Sequence, residues 1–321
     1  MNRRIYVRTP CRLHFGLTSL GHDESRPQFG GVGVMVDAPS VELEVTPAER
    51  FEVSGLLSER VTRFAASISE QLRLPALPDV CIKVLAAPRE HVGLGVGTQL
   101  GLAVAAGIAE ALGFPWRDPV RLAQLTRRGR RSAVGTYGFL RGGFIVDGGH
   151  LKSEPLGQLT NHAKLPSEWR LALLIPRSQS GCSGLQEESA FFDLPAVAIS
   201  VTEELEQLTH DCLIPALAEG DFGAFSEALY HYGCLAGKCF APLQGGIFSS
   251  PRTAELIAWL REQGIAGVGQ SSWGPTVFAL LPSEEPAEKL KQSLHQDPRF
   301  QEYEITVARP ANNGAIVEVG E

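Results

Sequence analysis

Several features that would assign a function at once are missing from this chain of 321 residues. No two of its six cysteines have C-x-x-C spacing, and no grouping of cysteine with histidine fits a zinc site. The formal net charge is −7, which argues against binding of nucleic acid through an overall positive field. Nucleic acid is therefore not an expected partner, and the cysteines are expected to be thiols in a reducing cytosol.

Long hydrophobic runs are lacking as well. The apolar run from Leu100 to Ala109 is too short to span a bilayer, so no membrane partner is expected. The N-terminal segment MNRRIYVRTPCRLHFGL begins with basic residues and then alternates, without the apolar core of a signal peptide. These features predict a cytoplasmic protein.

The standard glycine-rich phosphate motifs are also absent. Segment 91–113, HVGLGVGTQLGLAVAAGIAEALG, lacks the lysine of the Walker pattern and the third glycine of the dinucleotide pattern. A helix is nevertheless predicted to start near Gly97 or Thr98 and to end at Gly113. Residues Gly93–Gly97 form a loop before this helix, called the glycine loop below. Its amides and the helix dipole together form a candidate anion site. Close packing of the loop is the alternative interpretation.

Strands and helices are both present, without the strict alternation of a parallel α/β sheet, which predicts an α+β fold. Alternation over Ile5–Leu17 predicts a strand that places Arg12, His14 and Gly16 on one face. A polar, glycine-bearing stretch over 148–165 separates two predicted domains, residues 1–155 and residues 156–321.

Two further segments join the glycine loop as candidate anion-binding elements. The run RRGRR contains Arg127, Arg128, Arg130 and Arg131 in an otherwise acidic protein. Such a run is usually a solvated helix end, but arginine also binds phosphate through two parallel hydrogen bonds. The segment GVGQSSWGP is a second loop rich in glycine and serine, and it leads into a predicted strand.

Five segments in this order resemble β-ribofuranosylaminobenzene 5′-phosphate synthase of the GHMP kinase superfamily: RLHFGL, HVGLGVGTQLGLA, GRRSAVGTYGF, GGFIVDGGH and GVGQSSWGPT. The resemblance implies an N-terminal α/β domain with the phosphate loop, a ferredoxin-like C-terminal domain and a homodimer. It also implies condensation of phosphoribosyl diphosphate with 4-aminobenzoate in tetrahydromethanopterin biosynthesis, releasing CO2 and diphosphate. Mg2+ is the cofactor expected with the diphosphate.

Two alternatives remain open on the same fold. One is an ATP-dependent small-molecule kinase, although the segment SAVGTYGFLRGGF has no aspartate where GHMP kinases often carry a catalytic base. The other is a metabolite sensor without enzymatic activity. The aromatic acid is open as well, because 4-hydroxybenzoate differs from 4-aminobenzoate by one donor group.

The candidate residues follow from these patterns together with the resemblance. Those with a catalytic role are expected to be Arg12, His14, Arg130 and Arg131. Substrate- and phosphate-binding residues are expected to be Gly93, Leu94, Gly95, Val96, Gly97, Thr98, Gln99, Ser132, Gly269, Gln270, Ser271, Ser272 and Trp273. The metal ligands are not assigned.

Several roles within this set have alternatives. Arg12 or His14 could hold the benzoate carboxylate or a phosphate, while His14 could instead be a buried histidine whose hydrogen bonds are satisfied. For Asp147, a turn is favoured over a Mg2+ site.

Other side chains are expected near the site or far from it. Tyr137, Phe139 and Trp273 are candidates to stack on the substrate ring, or to belong to the core. Lys238 and Gln244 flank a loop that could close on the substrate, whereas Arg60 and Arg261 are expected on outer helix surfaces.

Overall fold

Two sheets organise the chain. The computed structural model describes residues 3–21, 23, 25–178 and 194–320, so Cys182 lies outside the described residues. The strands are β1 (Ile5–Leu17), β2 (Gly31–Pro47), β3 (Glu52–Gly55), β4 (Val80–Ala86), β5 (Phe144–Asp147), β6 (Leu159–Ala163), β7 (Arg170–Pro176), β8 (Val268–Gln270), β9 (Val277–Leu281), β10 (Tyr303–Ala308) and β11 (Ile316–Val319). The seven-stranded first sheet has the order β11-β1-β2-β4-β3, with β5 paired to β2 and β6 paired to β5. The four-stranded second sheet has the order β10-β7-β9-β8.

The helices pack on these sheets and join their strands. They are α1 (Ser58–Gln71), α2 (Val96–Leu112), α3 (Pro119–Thr126), α4 (Val134–Arg141), α5 (Ile199–Gln207), α6 (Ile214–Glu219), α7 (Phe222–Gln244), α8 (Pro251–Glu262) and α9 (Glu284–Gln296). A π-helical turn at Leu208–Leu213 joins α5 to α6. Within the described ranges, no helix is both long enough and apolar enough to cross a bilayer.

The start of α8 shows how the sequence sets a helix boundary. Ser250 accepts a hydrogen bond from the backbone N–H of Thr253, and Pro251 occupies the first turn, as the sequence predicts. Asp221 caps α7 in the same way by accepting from the N–H of Ala224. Local capping chemistry therefore fixes where both helices begin.

Helix α2 is the centre of the larger core. Its residues from Leu100 to Ala109 are buried, and its small side chains allow close contact with neighbouring elements. A Cβ added at Gly101 would lie 2.8 Å from the ring of Phe64 on α1, and one at Gly107 would lie 2.7 Å from Val45 on β2. Close packing thus holds α2 against α1 and the first sheet, and a hydrogen bond from Arg12 N–H to the carbonyl of Leu94 holds the glycine loop before it to β1.

The α+β prediction and its ferredoxin-like part are confirmed. Counting β7, β8, β9 and β10 as strands one to four, the second sheet has the order 4-1-3-2 with every pair antiparallel. One helical connection joins β7 to β8 and α9 joins β9 to β10, which is the βαββαβ arrangement of ferredoxin-like folds. Strands β6 and β11 lie beyond the predicted boundary at residue 155 and complete the first sheet.

Candidate functional site

A cavity of about 570 Å³ lies where strand β1, the glycine loop, the arginine run, helix α7 and the loop after β8 come together. Thirteen of the predicted site residues line it. These are Arg12, His14, Gly93, Gly95, Val96, Gly97, Thr98, Arg130, Arg131, Ser132, Gln270, Ser272 and Trp273. Segments that are distant in sequence therefore form one site.

Strand β1 forms one side of the cavity. Its alternation points Arg12, His14 and Gly16 into the cavity, as the sequence predicts. The pairing of β1 with β2 shifts register between His14 and Gly16, so Phe15 and Leu17 also reach the lining.

Two loops are attached to β1 by hydrogen bonds. Arg12 N–H donates to the carbonyl of Leu94 (3.0 Å), and Ser272 N–H donates to the carbonyl of His14 (2.8 Å). Ser271 Oγ accepts from the N–H of His14 (3.1 Å) and donates to the carbonyl of Gly93 (2.7 Å). The glycine loop and the loop after β8 are therefore held to the same strand and to each other.

Glycine is required at two points of the glycine loop. Gly93 has φ +95° and would place a Cβ 2.6 Å from the carbonyl oxygen of Ser271. Gly95 has φ +68°, precedes α2 as its N-cap, and lies against the side chain of Arg12. Because the first amides of an α-helix have no partner within the helix, Val96 and Gly97 at the cavity wall are suited to bind an anion.

Six arginines line the cavity: Arg12, Arg60, Arg127, Arg128, Arg130 and Arg131. Arg60 pairs with Glu90, and Arg127 pairs with Glu70 (2.8 Å). The guanidinium groups of Arg60 and Arg128 both lie over the ring of Phe64, at 5.8 and 5.4 Å from its centroid. Among the described residues no carboxylate lines the cavity, so the site strongly favours an anionic ligand.

The ring of His14 is hydrogen bonded within the protein at both nitrogens. Nδ1 accepts from the N–H of Gly16 (3.2 Å), so Nε2 carries the proton and donates to Ser132 Oγ (3.1 Å). Burial first, and the positive charge of Arg12 second, lower the pKa of His14 well below its usual value. His14 is therefore a neutral, satisfied histidine, the alternative left open for it, and has no free lone pair for general-base catalysis.

Asp147 completes this chain of hydrogen bonds and is more than the turn residue favoured from the sequence. It is 1% exposed at the end of β5, and its Oδ2 accepts from Ser132 Oγ (3.1 Å) and from the N–H of Ala133 (2.5 Å). Its Oδ1 accepts from the N–H of Gly149 (3.0 Å). Asp147 thus holds the start of α4 and, through Ser132, the ring of His14.

Four predicted residues lie outside the cavity lining, because packing or hydrogen bonding fixes them elsewhere. Leu94 is buried in the core, and Gln99 is buried between Thr9 and the carbonyl of Gly135. Gly269 packs under the ring of Phe278 within β8, while Ser271 serves the loop contacts described above.

The two other ring-stacking candidates, both on α4, belong to the core, which was the alternative stated for them. Tyr137 is buried and donates its hydroxyl to the carbonyl of Gly157 (2.9 Å), and Phe139 packs edge-on against Trp116. Lys238 does not line the cavity, whereas Gln244 does.

Sequence reasoning missed one arginine and one wall of the site. Arg60 was expected on an outer helix surface, but its guanidinium lies over Gly97 at the cavity. Helix α7 contributes Gly233, Ala236, Gly237 and Phe240. Their i, i+3, i+4, i+7 spacing was a readable sign of one helix face.

The described residues do not fit a Mg2+ ion held by the protein. No carboxylate of theirs lines the cavity, and among them no group of three or more His, Cys, Asp or Glu side chains is arranged to hold a metal.

Comparison with known proteins gives consistent matches. The family model described as GHMP kinases C terminal matches residues 213–298. The chain is 30% identical to the beta-ribofuranosylphenol 5'-phosphate synthase of Archaeoglobus fulgidus, over 98% of this chain and 99% of that protein. It is 28% identical to the protein of the same name from Methanothermobacter thermautotrophicus, over 86% of this chain and 88% of that protein.

A solved structure shares the fold at low sequence identity. The homoserine kinase of Cytophaga hutchinsonii matches with a TM-score of 0.65 and 18% identity, covering 99% of this chain and 98% of its own. This similarity shows a common fold.

The buried carboxylate at Asp147 generates a prediction about pH. Burial raises its pKa to about 6 from 3.8, so between these values the folded protein binds more protons than the unfolded chain. Its contribution to stability therefore falls as pH rises from about 4 to about 6. Across this pH range we expect the free energy of unfolding of the wild type to fall by about 2 to 3 kcal/mol relative to that of Asp147→Asn.

The measurement is the free energy of unfolding in urea for both proteins at several pH values. The Asn side chain cannot accept from both backbone amides, so Asp147→Asn also carries a loss of stability independent of pH. Parallel pH profiles for the two proteins would contradict the expected titration.

Proposed function

Because the chain belongs to the family of beta-ribofuranosylphenol 5'-phosphate synthases, we propose that this enzyme joins phosphoribosyl diphosphate to a 4-substituted benzoate, with release of CO2 and diphosphate. One observation carries the proposal: a single cavity combines six arginines and a glycine loop with an aromatic wall that contains Phe240 and Trp273.

The charged part of the cavity suits the donor substrate. Phosphoribosyl diphosphate carries a 5′-phosphate and a diphosphate, and each needs several hydrogen-bond donors and positive charges. The amides at Val96 and Gly97 and the arginines around them provide both. Arg12 lies against Gly95, where it could hold a phosphate or the benzoate carboxylate.

The proposed reaction changes three bonds. The bond from ribose C1 to the diphosphate oxygen breaks, and its electron pair leaves with diphosphate. The ring carbon that bears the carboxylate forms a bond to C1. The bond from that ring carbon to the carboxylate then breaks, its electrons restore the aromatic ring, and CO2 leaves.

The residues of the site match these demands. Donors fixed before the reaction stabilise the charge that develops on the leaving diphosphate. No proton is removed from the ring, so a site without a described carboxylate at the cavity and with a satisfied His14 is adequate. The remaining task is to position the ring over C1 and to exclude water from the cationic sugar.

Stereochemistry supports a cavity with two different ends. Phosphoribosyl diphosphate has its leaving group in the α configuration, whereas the names of the relatives specify a β product. Displacement with inversion requires the ring to approach C1 opposite the diphosphate. Arginines at one end and aromatic side chains at the other favour that arrangement.

The acceptor is a benzoate with an electron-donating group at C4. The sequence resemblance implied 4-aminobenzoate, while the names of the relatives, which specify a phenol, favour 4-hydroxybenzoate. The same proposal includes a place in tetrahydromethanopterin biosynthesis, Mg2+ bound with the diphosphate, a homodimer and a cytoplasmic location.

The reaction is tested by its stoichiometry. The purified protein is incubated with phosphoribosyl diphosphate, Mg2+ and either 4-aminobenzoate or 4-hydroxybenzoate labelled in the carboxyl group. We expect labelled CO2 and diphosphate in equal amounts with at least one acceptor. Diphosphate release without CO2 would point to hydrolysis or to an N- or O-ribosyl product and would overturn the proposal.

The arginines generate a second prediction. Arg131→Gln is expected to weaken phosphoribosyl diphosphate binding about 10- to 100-fold, because it removes a charge-assisted hydrogen bond to phosphate. Binding should also weaken with added salt, most strongly for the wild type. Isothermal titration calorimetry at two salt concentrations measures both effects.

Arg261→Gln is the matched control for this experiment. Arg261 is on α8, pairs with Glu227 (3.0 Å) and lies away from the cavity. Equal effects of the two substitutions would mean that the arginine run is only a solvated helix end.

A further inference from the structure

The cavity is polarised along strand β1. Arg12 lies beside the glycine loop, His14 is hydrogen bonded to Ser271 and Ser272, and Gly16 contacts Ala236 on α7. At about 3.3 Å per residue, Arg12 and Gly16 are roughly 13 Å apart along the strand. One face of β1 therefore leads from the arginines to helix α7.

The glycine loop runs in the same order. Gly97 lies under the guanidinium of Arg60, Gly95 contacts Arg12, and Gly93 contacts the loop that carries Trp273. Positive charge is thus concentrated at the end of the cavity where α2 begins. Aromatic side chains line the opposite end.

The opposite end is apolar and shaped by aromatic side chains. Phe240 and Trp273 pack edge to face, with ring centroids 5.0 Å apart at 72°. Phe15, Ile247 and Phe248 also line the cavity, and Ile247 packs against Gly237 of α7. A phosphate there would lose water without gaining donors, whereas the faces of a benzene ring gain contact with carbon atoms.

We propose that the aromatic ring of the benzoate acceptor binds at this apolar end, between the Phe240–Trp273 pair and the face of α7 at Gly233; this assignment rests on the proposed function. It separates the two substrates in space: phosphates at the arginines, ring at α7. The ribose C1 then lies between them, next to the middle of β1.

Gly233 keeps the space open that the ring occupies. It lines the cavity from within α7, and a Cβ added there would meet no atom within 4 Å. The neighbouring Tyr232 fixes this part of the helix, because it is buried and donates its hydroxyl to the carbonyl of Gly16 (3.1 Å). A larger side chain at position 233 would enter the cavity while the backbone stays in place.

The test is a size series at this position, Gly233→Ala, Gly233→Leu and Gly233→Phe. The KM for 4-aminobenzoate and for 4-hydroxybenzoate is expected to rise with side-chain volume, by about tenfold or more for Gly233→Phe, because the ring loses its apolar contacts. The affinity for inorganic diphosphate, measured by calorimetry, is expected to stay unchanged across the series.

Gly223→Phe is the matched control. Gly223 is exposed near the start of the same helix, away from the cavity. The same substitution there should therefore leave the acceptor KM and the affinity for diphosphate as in the wild type. Trp273→Leu is a second variant, which removes the indole ring from the Phe240–Trp273 pair. It is expected to raise the acceptor KM and to leave diphosphate binding unchanged. It keeps the proposal testable if Gly233→Phe does not fold.

An unchanged acceptor KM in Gly233→Phe, or in Trp273→Leu where that replaces it, would overturn the assignment while the proposed function stands. Equal loss of acceptor and diphosphate binding in a folded variant would also overturn it, since the two subsites would then not be separate. A wild-type protein that binds diphosphate but forms no product with either benzoate would remove the proposed function and this assignment together.

Discussion

Attachment of two loops to one strand is the constraint on which the whole site depends. The backbone of strand β1 is hydrogen bonded to Leu94 of one loop and to Ser272 of the other, and Ser271 joins the two loops through its hydroxyl. Close approach at Gly93 and Gly274 leaves no room for a side chain between the loops. The cavity is the space bounded by these loops, so its shape follows from the backbone more than from side chains.

Repulsion among the six arginines costs free energy when no ligand is bound, and contacts within the protein offset part of this cost. Like charges held close together repel, most strongly where water is partly excluded. Glu70 and Glu90 pair with two of the six arginines, and the ring of Phe64 lies beneath two guanidinium groups. A ligand with several negative charges would reduce this repulsion further, so ligand binding and relief of the repulsion are coupled.

Local patterns in the sequence predicted those parts of the site that local physics determines. Alternation placed Arg12 and His14 on the cavity face of β1, and the glycine loop was correctly placed at the start of α2. Arg60 was misplaced, and the hydrogen bond from Ala133 to Asp147 was missed, because both depend on contacts with distant segments. For Tyr137 and Phe139 the alternative of a place in the core is the one observed, and the sequence could not decide it because burial of these rings depends on how α4 packs.

The central claim is that one cavity directs ribose C1 onto a ring carbon, and the carbon–carbon bond itself is its most direct test. The benzoate is labelled with ¹³C at the ring carbon that bears the carboxylate, and phosphoribosyl diphosphate is labelled with ¹³C at C1. The expected product shows one-bond coupling between the two labelled carbons in its ¹³C NMR spectrum. A product in which C1 is bonded to nitrogen or oxygen, without that coupling, would contradict the claim.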